Sequence, residues 1–251
     1  MPDQTQLYRL SAFAEQPDGG NPAGVWIGDK PPPVSEMQKI AAEVGYSETA
    51  FVTPREGKNR DVRYFSPLAE VPFCGHATIA TGVALGRTAG AGLYHLNTAA
   101  GDVALDVKAT STGFDATLTS VATKHKPVDK NVLAEALSLI GWDASDLNDA
   151  IPPAIAYAGA WHLVLAANTL QRLQNLDYDF EALKALMLEH DLTTLQLIWQ
   201  DTPTKFHSRN PFPVGGVVED PATGAAAAAL GGYLRDAKLI KTPLDFEIRQ
   251  G

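Results

Sequence analysis

Cysteine is all but missing from this sequence: Cys74 is the only one. One thiol cannot form an internal disulfide. The six histidines (76, 95, 125, 162, 190 and 207) show no paired spacing of the HxH or HExxH kind, so spacing supports no metal site. Basic residues are also scarce, 20 against 29 acidic ones, for a net charge of −9. That balance argues against a nucleic-acid partner or an anionic membrane surface. No apolar run approaches the ~18 residues of a membrane span. The start "MPDQTQLYRL" lacks a basic stretch followed by an apolar one, so the expectation is a cytoplasmic protein. The glycine-containing segment "QPDGGNPAGVW" (16–26) has neither GxGxxG nor a P-loop Lys-Ser/Thr, and nucleotide binding gets no support.

What is present is a repeat. The 251 residues, 45% hydrophobic and 20% charged, suit a soluble protein of one large domain or two ordinary ones. "MQKIAAEVGYSETAFV" (37–52) reads as an amphipathic helix, a turn and an apolar strand, and "LKALMLEHDLTTLQLI" (183–198) has the same order 146 residues later. Ile40 falls on Leu186, Glu43 on Glu189, Phe51 on Leu197 and Val52 on Ile198. "RYFSP" meets "RNPFP" at that offset, and "PFCGHATIATGVAL" meets "PATGAAAAALGGYL" at 149. Three windows in one order predict a two-half duplication, 1–120 and 125–251, joined through "SVATKHKPVDK". Strand-like runs ("LYRLSAF", "PAGVWIG", "DVALDVKA", "FDATLTS", "WHLVLAA") outnumber helices, so each half is expected to be α+β with about two helices.

In both halves a Pro-x-x-Gly turn opens an Ala-rich helix, expected over 76–87 and 225–237. First-turn N–H groups lack intrahelical partners and carry the positive end of the helix dipole. If the halves face one another, both starts could hold a carboxylate or an enolate. They could equally be capped core helices. Glu48 lies among Tyr46, Phe51 and Val52, which would desolvate it, and its repeat partner is Thr194, so the scaffold does not require a carboxylate there. A solvated strand-face glutamate is the plain alternative. Asp220, followed by Pro221, has the pattern of an N-cap and could also touch a ligand; Glu219 is a weaker candidate. His76 could work as acid, base or anion donor, or be a satisfied structural histidine. Cys74 reads as a small buried hydrophobe before a nucleophile.

"GNPAGVW", "SETAFV", "RYFSPLAEVPFCGHATIATG" and "GVVEDPATGAAAAALGGYL" together resemble the PhzF-like phenazine-biosynthesis family over essentially the whole chain. The resemblance implies a diaminopimelate-epimerase fold of two pseudo-symmetric halves, each wrapping strands around a central helix, with the active site between them. It implies a cofactor-independent isomerase that moves a proton between carbons of a small carboxylate-bearing substrate, and a homodimer. Carried over by motif, Glu48 of "SETAF" is the base, and His76 of "CGHAT" and Asp220 of "EDPATG" orient substrate or assist. Gly75, Gly224 and Ala225 would offer backbone N–H groups to it. Ala225 departs from the serine that follows "DPATG" in the phenazine enzyme, and relatives run on beyond "FEIRQG". A non-catalytic binding protein of the same fold, or a hydrolase or lyase using Glu48, are the other readings.

Overall fold

The computed structural model describes residues 5–14, 16 and 19–251; Pro17 and Asp18 of the glycine-containing segment, and the first four residues of the N-terminal one, lie outside the described residues. The chain divides into two compact units, Met1–Thr119 and Ser120–Gly251.

The first unit is one sheet around one helix. Its elements are β1 (Gln6–Ala12), β2 (Asn21–Ile27), α1 (Val34–Val44), β3 (Glu48–Pro54), β4 (Asn59–Phe65), β5 (Glu70–Val71), α2 (Gly75–Ala89), β6 (Gly92–Thr98), β7 (Gly101–Ala109) and β8 (Phe114–Leu118). The strand order is β1-β2-β3-β4-β6-β7-β8, with β5 hydrogen-bonded to β4. Side chains along β3 alternate as a strand with two covered faces requires. Ala50 and Val52 join the core around α2, and Phe51 turns the other way, onto Met37 and Ala41 of α1. α2 packs against β1, β2, β3, β7 and β8 and is buried through most of its length. Glycine makes that enclosure possible: a Cβ on Gly82 would sit 2.5 Å from the Ala116 Cβ, and one on Gly86 2.5 Å from Phe114. We expect Gly82→Ala to destabilise the protein by about 1–3 kcal/mol through overpacking, although alanine is the better helix former. A urea midpoint unchanged or raised would refute that close packing.

The second unit comprises β9 (Lys124–Pro127), α3 (Lys130–Leu139), β10 (Ala154–Tyr157), β11 (Trp161–Ala166), α4 (Leu170–Gln174), α5 (Phe180–Glu189), β12 (Thr194–Thr202), β13 (Lys205–Arg209), α6 (Gly224–Asp236) and β14 (Glu247–Gln250), with strand order β14-β13-β12-β11-β10-β9. Here α6 is the helix packed on the sheet, against β9, β10 and β11.

The two sheets repeat a connection pattern. β1/β2 and β10/β11 are antiparallel, β2/β3 and β11/β12 parallel, β3/β4 and β12/β13 antiparallel, β4/β6 and β13/β14 parallel. Local chemistry repeats too. Gly45, which closes α1, has φ 72°, and Asp191, its partner at offset 146, has φ 54°; aspartate is among the few other residues that enter this region. Arg63 pairs with Glu70, and Arg209 pairs with Glu219, at the two offsets read from the sequence. In the first pair the Arg63 guanidinium holds the Glu70 carboxyl below its usual range.

Two expectations need correction. The segment read as a connection contains β9, paired with β10, because its Lys-His-Lys run tolerates an exposed edge strand while bonding through its backbone. The second unit also has two helices more than expected, α3 and α4, begun by Asp129 and Thr169 side chains that accept first-turn N–H bonds. Among the described residues no helix is long and apolar enough to cross a membrane.

Candidate active site

The start of α2 collects three of the residues singled out in the first unit. Glu48 opens β3 beside Ala23 of β2, and the alternation that sends Ala50 and Val52 toward α2 sends Glu48 the same way, at the helix's N-terminal end. Its side chain is 22% exposed, so the carboxylate is half-buried but reachable. One oxygen, Oε2, lies 3.4 Å from His76 Nε2 and 3.5 Å from Cys74 Sγ. Cys74 Sγ is in turn 3.3 Å from His76 Nδ1. The Ser47 hydroxyl lies 3.2 Å from His76 Nε2.

A buried network holds this end of the helix in place. The Thr78 hydroxyl donates to the Cys74 carbonyl at 2.7 Å, and so must accept from the Tyr64 hydroxyl, also at 2.7 Å. The Thr78 amide donates to the same carbonyl. Burial pushes the Tyr64 phenol up, keeping it a neutral donor. Tyr64 stands opposite Ala50 on the neighbouring strand, so β4 fixes the helix start relative to the strand that carries Glu48. Gly75 and His76 are the first two residues of α2. A Cβ added at Gly75 would meet nothing within 4 Å, so there is space beside the helix start. This is a carboxylate next to an imidazole and a thiol, beside a helix N-terminus with space at its first residue. Such a set can exchange protons and bind an anion.

Cys74 is buried as expected of a packing residue, and it has contacts beyond packing. It belongs to the core around α2, and its sulfur contacts both neighbours that could move protons.

In the second unit Asp220 is not the helix N-cap. α6 begins at Gly224 with Thr223 at the N-cap. The reason lies in the sheet: Pro211 bridges Glu219, and the Asp220 amide donates to the Asn210 carbonyl at 3.1 Å. That pairing keeps the chain extended through residues 219–220, a conformation the following proline favours. Asp220 instead accepts the Thr223 hydroxyl. Glu219 is bidentate to Arg209, with bonds of 2.8 and 2.9 Å from Nε alone, which gives it a structural role.

Gln250, which the sequence did not single out, clamps this turn. Its amide nitrogen donates to the Asp220 carbonyl at 2.7 Å, and its oxygen accepts the Thr223 amide at 3.0 Å. No sequence signal marks it, since β14 is a short strand of alternating exposure. Gly224 and Ala225 follow the turn, both half-buried.

At Thr194, the repeat partner of Glu48, the second unit has a fully buried polar chain. His162 Nδ1 lies 2.8 Å from Thr194 Oγ1, which donates to Asn210 Oδ1 at 3.2 Å. With its single proton committed to Asn210, Thr194 must accept from His162, so the imidazole is the Nδ1–H tautomer.

A family model described as phenazine biosynthesis-like protein matches residues 10–251. The trans-2,3-dihydro-3-hydroxyanthranilate isomerase of Pseudomonas fluorescens is 31% identical over 247 residues, covering 96% of this chain and 84% of that one. The crystal structure of a PhzF-family phenazine biosynthesis protein from Bacillus anthracis aligns with a TM-score of 0.79 at 26% identity, covering 93% of this chain and 80% of that one. A hydroxyproline epimerase from Agrobacterium vitis aligns with a TM-score of 0.66 at 14% identity, covering 98% and 81%, which extends the likeness of fold to the diaminopimelate-epimerase-like racemases.

Proposed function

The chain belongs to the phenazine biosynthesis-like protein family, and on that premise we propose that it is an isomerase moving a proton between carbons of a small carboxylate-bearing substrate. The observation that carries the reading is the half-buried Glu48 carboxylate, 3.4 Å from His76 Nε2 at the start of α2. Glu48 takes a proton from one carbon and returns it to another. His76, in contact with the same oxygen, receives or returns a proton as the carboxylate changes charge. The N-terminus of α2, at Gly75 and His76, donates N–H bonds to the substrate carboxylate or to the oxyanion that develops as the proton leaves. These steps use side chains and backbone alone, in keeping with a cofactor-independent reaction.

The second unit carries a comparable donor set. Gly224 and Ala225 open α6, and Asp220, Thr223 and Gln250 hold the turn before it. In this proposal those amides bind substrate and Asp220 orients it. The family resemblance supports the assignment, as does the 31% identity to an enzyme that isomerises a dihydro-hydroxyanthranilate.

The test is NMR of trans-2,3-dihydro-3-hydroxyanthranilate and related unsaturated amino and hydroxy acids, incubated with the protein in D₂O. Deuterium entering carbon, or a displaced double bond, establishes the reaction class. Ala225, where the resemblance implies a serine, motivates the rival reading of a non-catalytic binding protein. Ligand-induced thermal stabilisation with no exchange into carbon would favour that reading.

A further inference from the structure

We propose that Glu48, Cys74 and His76 form a binding site for a zinc-type divalent transition-metal ion, and that such an ion inhibits the protein by occupying the oxygen that acts as base. The inhibition rests on the reading of Glu48 given above; the binding does not.

The residues offer three different ligand atoms, a carboxylate oxygen, a thiol sulfur and an imidazole nitrogen, all within 4.8 Å of one another. Among the described residues no other such group occurs. The separations are Oε2 to Nε2 3.4 Å, Oε2 to Sγ 3.5 Å and Sγ to Nε2 3.9 Å. Zinc bound at about 2.0–2.3 Å with tetrahedral angles needs ligand atoms roughly 3.4–3.6 Å apart. Two edges already fit, and the third needs a shift of a few tenths of an ångström. Thiolate, imidazole and carboxylate together favour zinc-like ions over magnesium or calcium, which take oxygen ligands. Three protein ligands leave a fourth position for water or for the carboxylate of a bound substrate.

Rigidity supports the assignment. Cys74 and His76 flank Gly75 at the helix start, whose position the Tyr64–Thr78–Cys74 network fixes, and Glu48 is held by the strand alongside. Binding replaces the S–H bond by a sulfur–metal bond and releases one proton to solvent, with no change of oxidation state. Spacing in the sequence could not reveal this site, since Glu48 is 26 residues from Cys74 and neither histidine pattern is present.

The single cysteine makes the test clean. Titrated into the metal-free protein of this sequence, Co²⁺ should produce a thiolate-to-cobalt absorption band that saturates at one equivalent and is displaced by Zn²⁺. A thiolate band can arise only from Cys74, and Cys74→Ser and Cys74→Ala should each abolish it. Glu48→Gln and His76→Gln should each weaken Co²⁺ binding at least about tenfold. No band with wild type, or equal affinity in the Glu48 and His76 variants, would overturn the site. One equivalent of Zn²⁺ should also abolish turnover. Turnover that persists with the ion bound would leave the site standing and overturn the inhibition, and Glu48 would then lose its place as the base.

Discussion

Glu48→Gln is expected to lower turnover of the isomerised substrate by at least about 100-fold while changing substrate affinity little. Glutamine keeps the size of the side chain and an oxygen that can accept a hydrogen bond, but it cannot take a proton. An interaction needed only while the proton is in flight should disappear from kcat and leave binding nearly intact. Stability should change little, because glutamine fills the same space and its amide can still hydrogen-bond the His76 ring. The measurement is steady-state kinetics on the substrate identified by exchange in D₂O, beside an unfolding curve for each protein. Equal kcat in the two proteins would remove Glu48 from the mechanism. A fall in KM-dependent terms alone would make it a binding group.

Acid should destabilise the second unit through His162. This imidazole is fully buried, and burial pushes its pKa down to about 4 from an ordinary value near 6.5. Loss of hydration on burial is the cause of the shift, and the hydrogen bonding is in keeping with it. Nδ1–H is satisfied by Thr194, whereas Nε2 has no hydrogen-bond partner among the described residues, so protonation would bury an N–H with nothing to receive it. Above pH 6.5 the folded and unfolded chains both carry a neutral ring and the full stability is present. Between 6.5 and about 4 the unfolded chain takes up a proton that the folded one refuses, so stability falls as pH falls. The loss approaches roughly 3 kcal/mol once both states are protonated. Urea midpoints compared at about pH 7.5 and about pH 4.5 should show the drop in wild type and a smaller one in His162→Gln, which has no imidazole to titrate. Equal pH dependence in the two would show that His162 takes a proton in the folded state as readily as in the unfolded one.

The order of elements was legible along the chain because duplicated halves keep their local chemistry. The Arg63–Glu70 and Arg209–Glu219 pairs, and the left-handed positions Gly45 and Asp191, fall at the offsets that sequence comparison found. So were the helix starts to within a residue, since Pro-x-x-Gly followed by alanines has few other uses. The start of α6 shows the limit of such signals. Asp-Pro is a good N-cap pattern, yet the backbone of residues 219–220 is drawn into pairing with Asn210 and Pro211 three residues before the helix begins. A local preference of about 1 kcal/mol yields to tertiary hydrogen bonds.

By itself, then, the sequence determined the duplicated α+β architecture, the single cysteine, and the candidates Glu48, His76 and Asp220. Only the tertiary structure decided that Cys74 touches Glu48, that Gln250 holds the Asp220 turn, and that His162 is buried against Thr194. These contacts join residues 26, 30 and 32 positions apart. Helical and strand periodicities relate neighbours a few residues away, so they carry the local elements; which side chains meet across strands and helix ends follows from how the sheets close around α2 and α6.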